Sequence, residues 1–321
     1  MTWLEVAPGI FSIREKSYRF GQPATNIYYV PDGNGGGLLY DAGYAMRRSF
    51  NDFMSGFRSL VAHLKQSGQI PASAPFSGLV TMIVLSHEHH DHASGAPLLK
   101  QYFPRARIFA SKATAALLKS QRAVTKTFNE LLENMLMELF YRLVRAKQPI
   151  HVDHFVHGNE IIECGDRTFT ALLAPGHSPG QVMLYEQKTG ILISSDLVLR
   201  VGSTWLGPPH SDYQAYQDTM ESIARLNPTL MLPAHGGAIH NPRERVLELL
   251  SFRRLREGQI LKICSQSPQS EGDVAWRIYS ERGIGTYLMA KGMVGLVLGH
   301  LVAVGLLRRV KKGRKVKYVT P

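Results

Sequence analysis

The sequence predicts a mixed α/β protein with a large first domain, residues 1–242, and a small helical domain, residues 243–321. Three observations predict it. The length of 321 residues exceeds one small domain and suits one large domain plus a small one. Short apolar, β-branched runs bounded by Gly, Pro and Asp fill the first part of the chain, mixed with segments of helical period. From about Asn241 the pattern turns to helices alone, closed by a basic stretch.

Composition narrows the function classes. Hydrophobic residues make up 44% of the chain and charged residues 19%, which excludes a disordered chain. Cys164 and Cys264 stand a hundred residues apart, outside any C-x-x-C pair. A disulfide framework and a thiolate zinc knuckle therefore have no support, and the usage suits a reducing compartment, with a cytoplasmic location as the expectation. Met1-Thr2-Trp3-Leu4-Glu5-Val6 lacks the basic start and apolar core of a secretory signal. The net charge of +12 gathers near the end, at Arg308, Arg309, Lys311, Lys312, Arg314, Lys315 and Lys317. Such a face can attract nucleic acid, anionic lipid or an acidic partner, or can simply be solvated.

In chain order, Gly9 to Arg14 and Asn26 to Val30 are strand candidates. Leu38-Leu39-Tyr40 follows the turn Asp32 to Gly37. Phe53, Phe57, Leu60, Val61 and Leu64 give Phe50 to Leu64 a helical stripe. Leu79 to Leu85 is uncharged and β-branched, a buried strand. A long helix is expected over Phe128 to Ala146, with Thr127 and Glu130 as a capping box. Its apolar stripe packs on the core or lines an acyl pocket. Strands follow at Thr168 to Leu173, Val182 to Tyr185 and Ile191 to Ser194. Asp212 to Leu226 is helical, and Thr229 to Leu232 is a short strand ended by Pro233.

The last part reads as helices over Glu244 to Lys262, Glu271 to Glu281 and Thr286 to Leu307. A hairpin of Arg309-Val310 with Val316 to Val319 closes it. Met293 to Leu307 is apolar apart from His300, yet Lys291 and four glycines (Gly292, Gly295, Gly299 and Gly305) interrupt a membrane span. A buried core helix, and recovery without detergent, are the expectation.

Chemistry concentrates in His87-Glu88-His89-His90-Asp91-His92. Alternate residues of an extended segment point the same way, so His87, His89 and Asp91 can converge, and His92 joins them if the chain turns. Imidazole and carboxylate are zinc's usual nitrogen and oxygen ligands. Glu88 and His90 point away in this reading. Three further candidates stand in suitable settings: His177 in the rigid turn Pro-Gly-His-Ser-Pro-Gly between strands, Asp196 at the end of the apolar run from Ile191, and His235 in Pro-Ala-His-Gly-Gly after another apolar run. His151, His154 and His157 are read as loop and strand residues, because Pro149 and Gly158 oppose a helix there. His210 and His240 are read as surface residues.

The H-x-H-x-D-H run followed by His, Asp and His in this order resembles the metallo-β-lactamase superfamily over Trp3 to Pro242. The resemblance implies an αββα sandwich with two metals at one edge. By position it places one metal on His87, His89 and His177 and the other on Asp91, His92 and His235. Asp196 bridges the two, and Asp41 stands behind them as a supporting residue. Ser195 stands where the family often has Gly, and Ala234 where it often has Gly; the ligands are untouched. His89 argues against the flavodiiron branch, which has glutamate there. A bridging Asp196 is closer to glyoxalase II-like thioesterases, lactonases and nucleases than to antibiotic-cleaving enzymes.

Residues 241–321 are similar to the winged-helix extension of the beta-lactamase-like group, which includes an animal mitochondrial endoribonuclease and fungal polyketide-synthase thioesterases. The implied activity is hydrolysis of a carboxylic thioester, ester or lactone by a hydroxide bridging two divalent ions. Zn2+ is the default for so nitrogen-rich a donor set, with Mn2+ or Fe2+ as alternatives. Asp91 doubles as ligand and proton shuttle. The alternative reading is a single-strand endoribonuclease that uses the same site and the basic end. The expected partners are a small (thio)ester or lactone, with nucleic acid as the alternative, and no membrane span.

Overall fold

The computed structural model describes residues 3–16, 24–120, 149–312 and 315–321. The helix expected over Phe128 to Ala146 lies outside them. The described chain divides into two compact units. The first comprises Met1–Ala174, Gly180–Val201 and Thr229–His240; the second comprises Pro175–Pro179, Gly202–Pro228 and Asn241–Pro321.

The first unit is built on two sheets. One runs in the order β1 (Trp3–Ala7), β2 (Ile10–Glu15), β3 (Thr25–Pro31), β4 (Gly37–Tyr40), β5 (Met82–Val84), β6 (Arg107–Ser111), β7 (His154–Val156). Its first four strands pair antiparallel, and β4 to β7 are parallel. The second sheet contains β8 (Ile161–Cys164), β9 (Arg167–Leu173), β10 (Val182–Glu186), β11 (Ile191–Ser195) and β12 (Leu230–Pro233), with β11 and β12 parallel.

Both faces of β3 and β4 are buried, which is why they read as continuous apolar runs. Tyr28, Val30, Leu38 and Tyr40 join Phe169, Ala171, Val182 and Leu184 in the core between the sheets. The alternate residues Ile27, Tyr29 and Leu39 enter a second core with Phe53, Phe57, Leu60 and Leu64. These last four lie on helix α1 (Arg47–Gln66), as their spacing requires. Helix α2 (His90–Ala93) and helix α3 (Ala96–Tyr102) follow β5, and α4 (Lys112–Ser120) follows β6. The strand read over Leu79 to Leu85 is regular only at Met82–Val84. A 3-10 turn at Phe76–Gly78 precedes it, and its parallel partner β4 is itself only four residues long.

The second unit contains α5 (Tyr213–Leu226), α6 (Pro242–Gln266), α7 (Glu271–Tyr279) and α8 (Ile284–Ala303), then a hairpin of β13 (Arg308–Lys312) and β14 (Lys315–Val319). Asp212 caps α5 by accepting from the Ala215 N–H at 2.9 Å. Ser270 and Asp273 form a reciprocal capping box on α7. Contrary to a fully buried helix, α8 buries only one side, through Ala290, Val294, Val297, Leu298 and Leu301. Ile284, Leu288 and Met289 are exposed. Among the described residues it is the one helix long and apolar enough, by length and composition, to cross a membrane.

Candidate metal centre

The site residues follow strand ends. The chain leaves β5 extended through His87 to His89, whose backbone (φ −63°, ψ 153°) caps α2. Extended spacing sets His87 and His89 on one side, and the single turn of α2 then swings Asp91 and His92 into place. Asp196 follows β11, His235 follows β12, and His177 lies on the loop between β9 and β10.

All seven predicted donors gather into two groups that could each hold a metal ion. The first is His87, His89, His177 and Asp196; the second is Asp91, His92, Asp196 and His235. The ligand atoms of each group lie within 4.8 Å of one another, and Asp196 belongs to both. In the second group, His92 Nε2 lies 3.3 Å from Asp91 Oδ2 and 3.4 Å from Asp196 Oδ2. His235 Nε2 lies 3.2 Å from Asp91 Oδ2 and 3.2 Å from Asp196 Oδ1. Ligand bonds of about 2.0–2.1 Å in a tetrahedron imply donor spacings of roughly 3.3 Å. The donor set therefore fits divalent metal ions. In the first group, His87 Nε2 and His89 Nδ1 face each other at 2.9 Å.

The far sides of the rings are fixed. Nδ1–H of His92 donates to Asp41 Oδ2 at 2.7 Å, that of His177 to the Trp205 carbonyl at 2.8 Å, and that of His235 to the Ala24 carbonyl at 2.9 Å. His87 Nδ1–H donates to Ser86 Oγ at 2.9 Å. Each bond selects the tautomer that leaves Nε2 with its lone pair turned to the site. Ser86 in turn donates to Asp41 Oδ2 at 3.0 Å and accepts from Ser195 Oγ at 2.8 Å. Ser195 has φ +50°, the left-handed conformation that glycine adopts more readily, which is what the departure from Gly means physically.

Electrostatics follow from two carboxylates among imidazoles. Burial disfavours the ionised forms of Asp91 and Asp196, but His92 and His235 beside them hold both well below the usual carboxylate range. Burial likewise disfavours charge on His235, yet Asp196 and Asp91 lift it to about 10. His92 is raised by Asp91, Asp196 and Asp41 against its burial. Burial dominates at His89 and lowers it to about 4.

Glu88 and His90 join neither group, nor do His151, His154, His157, His210 and His240. His154 pairs instead with Glu160. Sequence reasoning missed Ser86 and the carbonyls of Ala24 and Trp205. Ser86 adjoins the motif and could have been noticed; a backbone carbonyl carries no side-chain signal. Thr25 was also unread, and its Oγ1 lies 3.5 Å from Asp91 Oδ2.

Comparison with known proteins agrees with this geometry. The sequence model of the metallo-beta-lactamase superfamily matches residues 21–235. The chain is 28% identical over 283 residues to a Gallus gallus protein named acyl-coenzyme A thioesterase MBLAC2, covering 86% of this chain and 94% of that one. It is 24% identical to atrochrysone carboxyl ACP thioesterase of Aspergillus fumigatus, covering 57% of this chain and 46% of that one. A metallo-beta-lactamase family protein from Thermus thermophilus shares the fold with a TM-score of 0.76 at 18% identity, over 98% of this chain and 99% of that one. A beta-lactamase domain protein from Burkholderia ambifaria gives 0.78 at 20%, over 99% and 93%. The chain belongs to the metallo-beta-lactamase superfamily and is a metal-dependent hydrolase.

Proposed function

We propose that the chain is a binuclear thioester hydrolase, with His87, His89, His177 and Asp196 holding one ion and Asp91, His92, Asp196 and His235 the other. The observation that carries the two-ion reading is the sharing of Asp196 between the two donor groups. Zinc is the ion this nitrogen-rich set favours. The acyl thioester as substrate is supported by the similarity, over 86% of the chain, to a protein named an acyl-coenzyme A thioesterase.

When bound, such ions supply an acidified water and polarise a carbonyl oxygen. The chain's own residues prepare that step. Asp41 and the carbonyls of Ala24 and Trp205 hold three imidazoles by Nδ1, so that little rotamer freedom remains to be lost when the ligands engage. In this reading Asp91 is at once a donor to the second group and the carboxylate that would take a proton from the attacking water and pass it to the leaving thiolate. Thr25 steadies it through its hydroxyl.

In this reading residues 1–242 carry the hydrolase and residues 243–321 form a winged-helix-like module in the cytoplasm. The succession α6, α7, α8 and a basic hairpin supports the module. The test is a panel of acyl-coenzyme A thioesters, lactones and single-stranded RNA presented to the metal-loaded chain. Thioester cleavage that a chelator abolishes is expected. Cleavage of RNA alone would replace the thioesterase reading with the nuclease one.

A further inference from the structure

The loop Pro175–Pro179, which carries His177, is tied at three successive carbonyls to the rest of the second unit. The Asp212 N–H donates to the Gly176 carbonyl at 2.8 Å. Ser211 Oγ donates to the His177 carbonyl at 2.8 Å, and Thr219 Oγ1 to the Pro175 carbonyl at 2.7 Å. Gly176 has φ +141°, and a Cβ there would come within 2.4 Å of the Tyr216 Cα, so the backbone of α5 is the wall of this loop. The imidazole itself hangs from the Trp205 carbonyl.

Arg253 touches both supports. It lies on α6 and is 3% exposed. One guanidinium nitrogen donates to the Thr204 carbonyl at 2.6 Å, and another lies 3.0 Å from the Met293 sulfur. The guanidinium sits 5.2 Å from the centre of the Tyr216 ring. Among the described residues no carboxylate pairs with it. A buried cation without a counter-charge is costly, and methionine would fill the same space without that cost. What Arg253 adds is direction. Fixing the Thr204 carbonyl fixes the Thr204–Trp205 peptide plane, one residue from the carbonyl that holds His177 Nδ1. The indole Nε1–H of Trp205, donating to the Met289 carbonyl at 3.3 Å, anchors the other end of that residue. The Tyr216 ring beneath the guanidinium belongs to the residue that walls Gly176.

We infer that Arg253 is a positioning residue for His177, and so governs how firmly that histidine holds a metal ion. The inference rests on the metal-site reading above. Removing the group bonded directly to a ligating histidine lowers metal affinity about 10- to 100-fold, and Arg253, one contact further out, is expected to act below that ceiling.

The experiment uses the full chain and three variants. Arg253→Met keeps the volume and removes the donors. Arg253→Lys keeps the charge and can serve one acceptor. Val274→Ala, at a fully buried position on α7, destabilises the same unit without touching the loop. Zinc content after dialysis, zinc affinity by chelator competition and Tm are measured on each. The expected result is weakened binding of one of the two zinc ions in Arg253→Met, a smaller weakening in Arg253→Lys, and parental zinc content in Val274→Ala despite its lower Tm. If Arg253→Met does not fold, the comparison of Arg253→Lys with Val274→Ala carries the test. Parental zinc affinity in the Arg253 variants, or zinc loss in Val274→Ala that tracks its Tm, would overturn the inference and leave the hydrolase reading standing. A parent chain that binds no zinc would overturn the metal assignment and this inference with it.

Discussion

Asp41 Oδ2 lies 2.7 Å from Nδ1 of His92, and both side chains are fully buried. The same carboxylate accepts the Ser86 backbone N–H on Oδ1 at 2.7 Å, so it clamps the start of the histidine segment and its last histidine together. Asp41 itself has φ +70°, a conformation that Asn tolerates as well as Asp. Asp41→Asn should therefore fold. It presents an amide that cannot accept from His92 and Ser86 as the carboxylate does. Zinc affinity of the group containing His92 is expected to fall about 10- to 100-fold, measured by chelator competition. Parental affinity would remove Asp41 from its supporting role.

Asp196 is the residue common to both donor groups. Asp196→Ala is expected to lower the zinc content of both groups and cut thioester cleavage by more than about 100-fold, the upper end of what outer contacts cost. Metal analysis and steady-state rates on the same preparation check it; full metal and full rate would sink the bridging assignment.

Metal loading should expel protons. His235 stands at about 10 and His92 is raised in the metal-free chain, whereas His89, at about 4, is already neutral at pH 7. Ligating imidazoles must be neutral, so zinc binding at pH 7 is expected to release protons and to tighten as pH rises. Calorimetry in buffers of differing ionisation heat reads the number. The metal-free fold should respond oppositely. A group raised on folding stabilises fully below its ordinary value, 6.5 for His235, and loses that contribution as pH climbs through about 10.

Glu15 is fully buried and accepts the Tyr44 N–H at 2.9 Å. Burial pushes its carboxyl well above the usual range. Its contribution to stability is complete below its ordinary value of 4.5 and is lost as pH rises through the raised one. Glu15→Gln keeps an acceptor for Tyr44 and cannot ionise. Its urea midpoint is expected to exceed the parent's at about pH 9, and the difference to shrink at about pH 5. A constant difference between the two pH values would show that Glu15 does not titrate as a buried acid.

Much of this protein was determined by its sequence alone. Local spacing decided α1, because Phe53, Phe57, Leu60 and Leu64 recur at the helical period, and capping chemistry decided the starts of α5 and α7 at Asp212 and Ser270. The seven side chains that gather into the two candidate groups were legible as candidates for a similar reason: each is of ligand type, and most stand at or soon after the end of an apolar run. Tertiary structure alone decided what holds them. The carbonyls of Ala24 and Trp205 have no signature in a sequence, since every residue carries one, and only packing chooses which meets an imidazole. The same holds for α8, where composition gave an apolar helix and packing alone chose Ala290, Val294, Val297, Leu298 and Leu301 as its buried side. It holds too for the grouping of Pro175–Pro179 with helices far along the chain. Side-chain type is written residue by residue, whereas burial and hydrogen-bond partnership arise between residues distant in sequence.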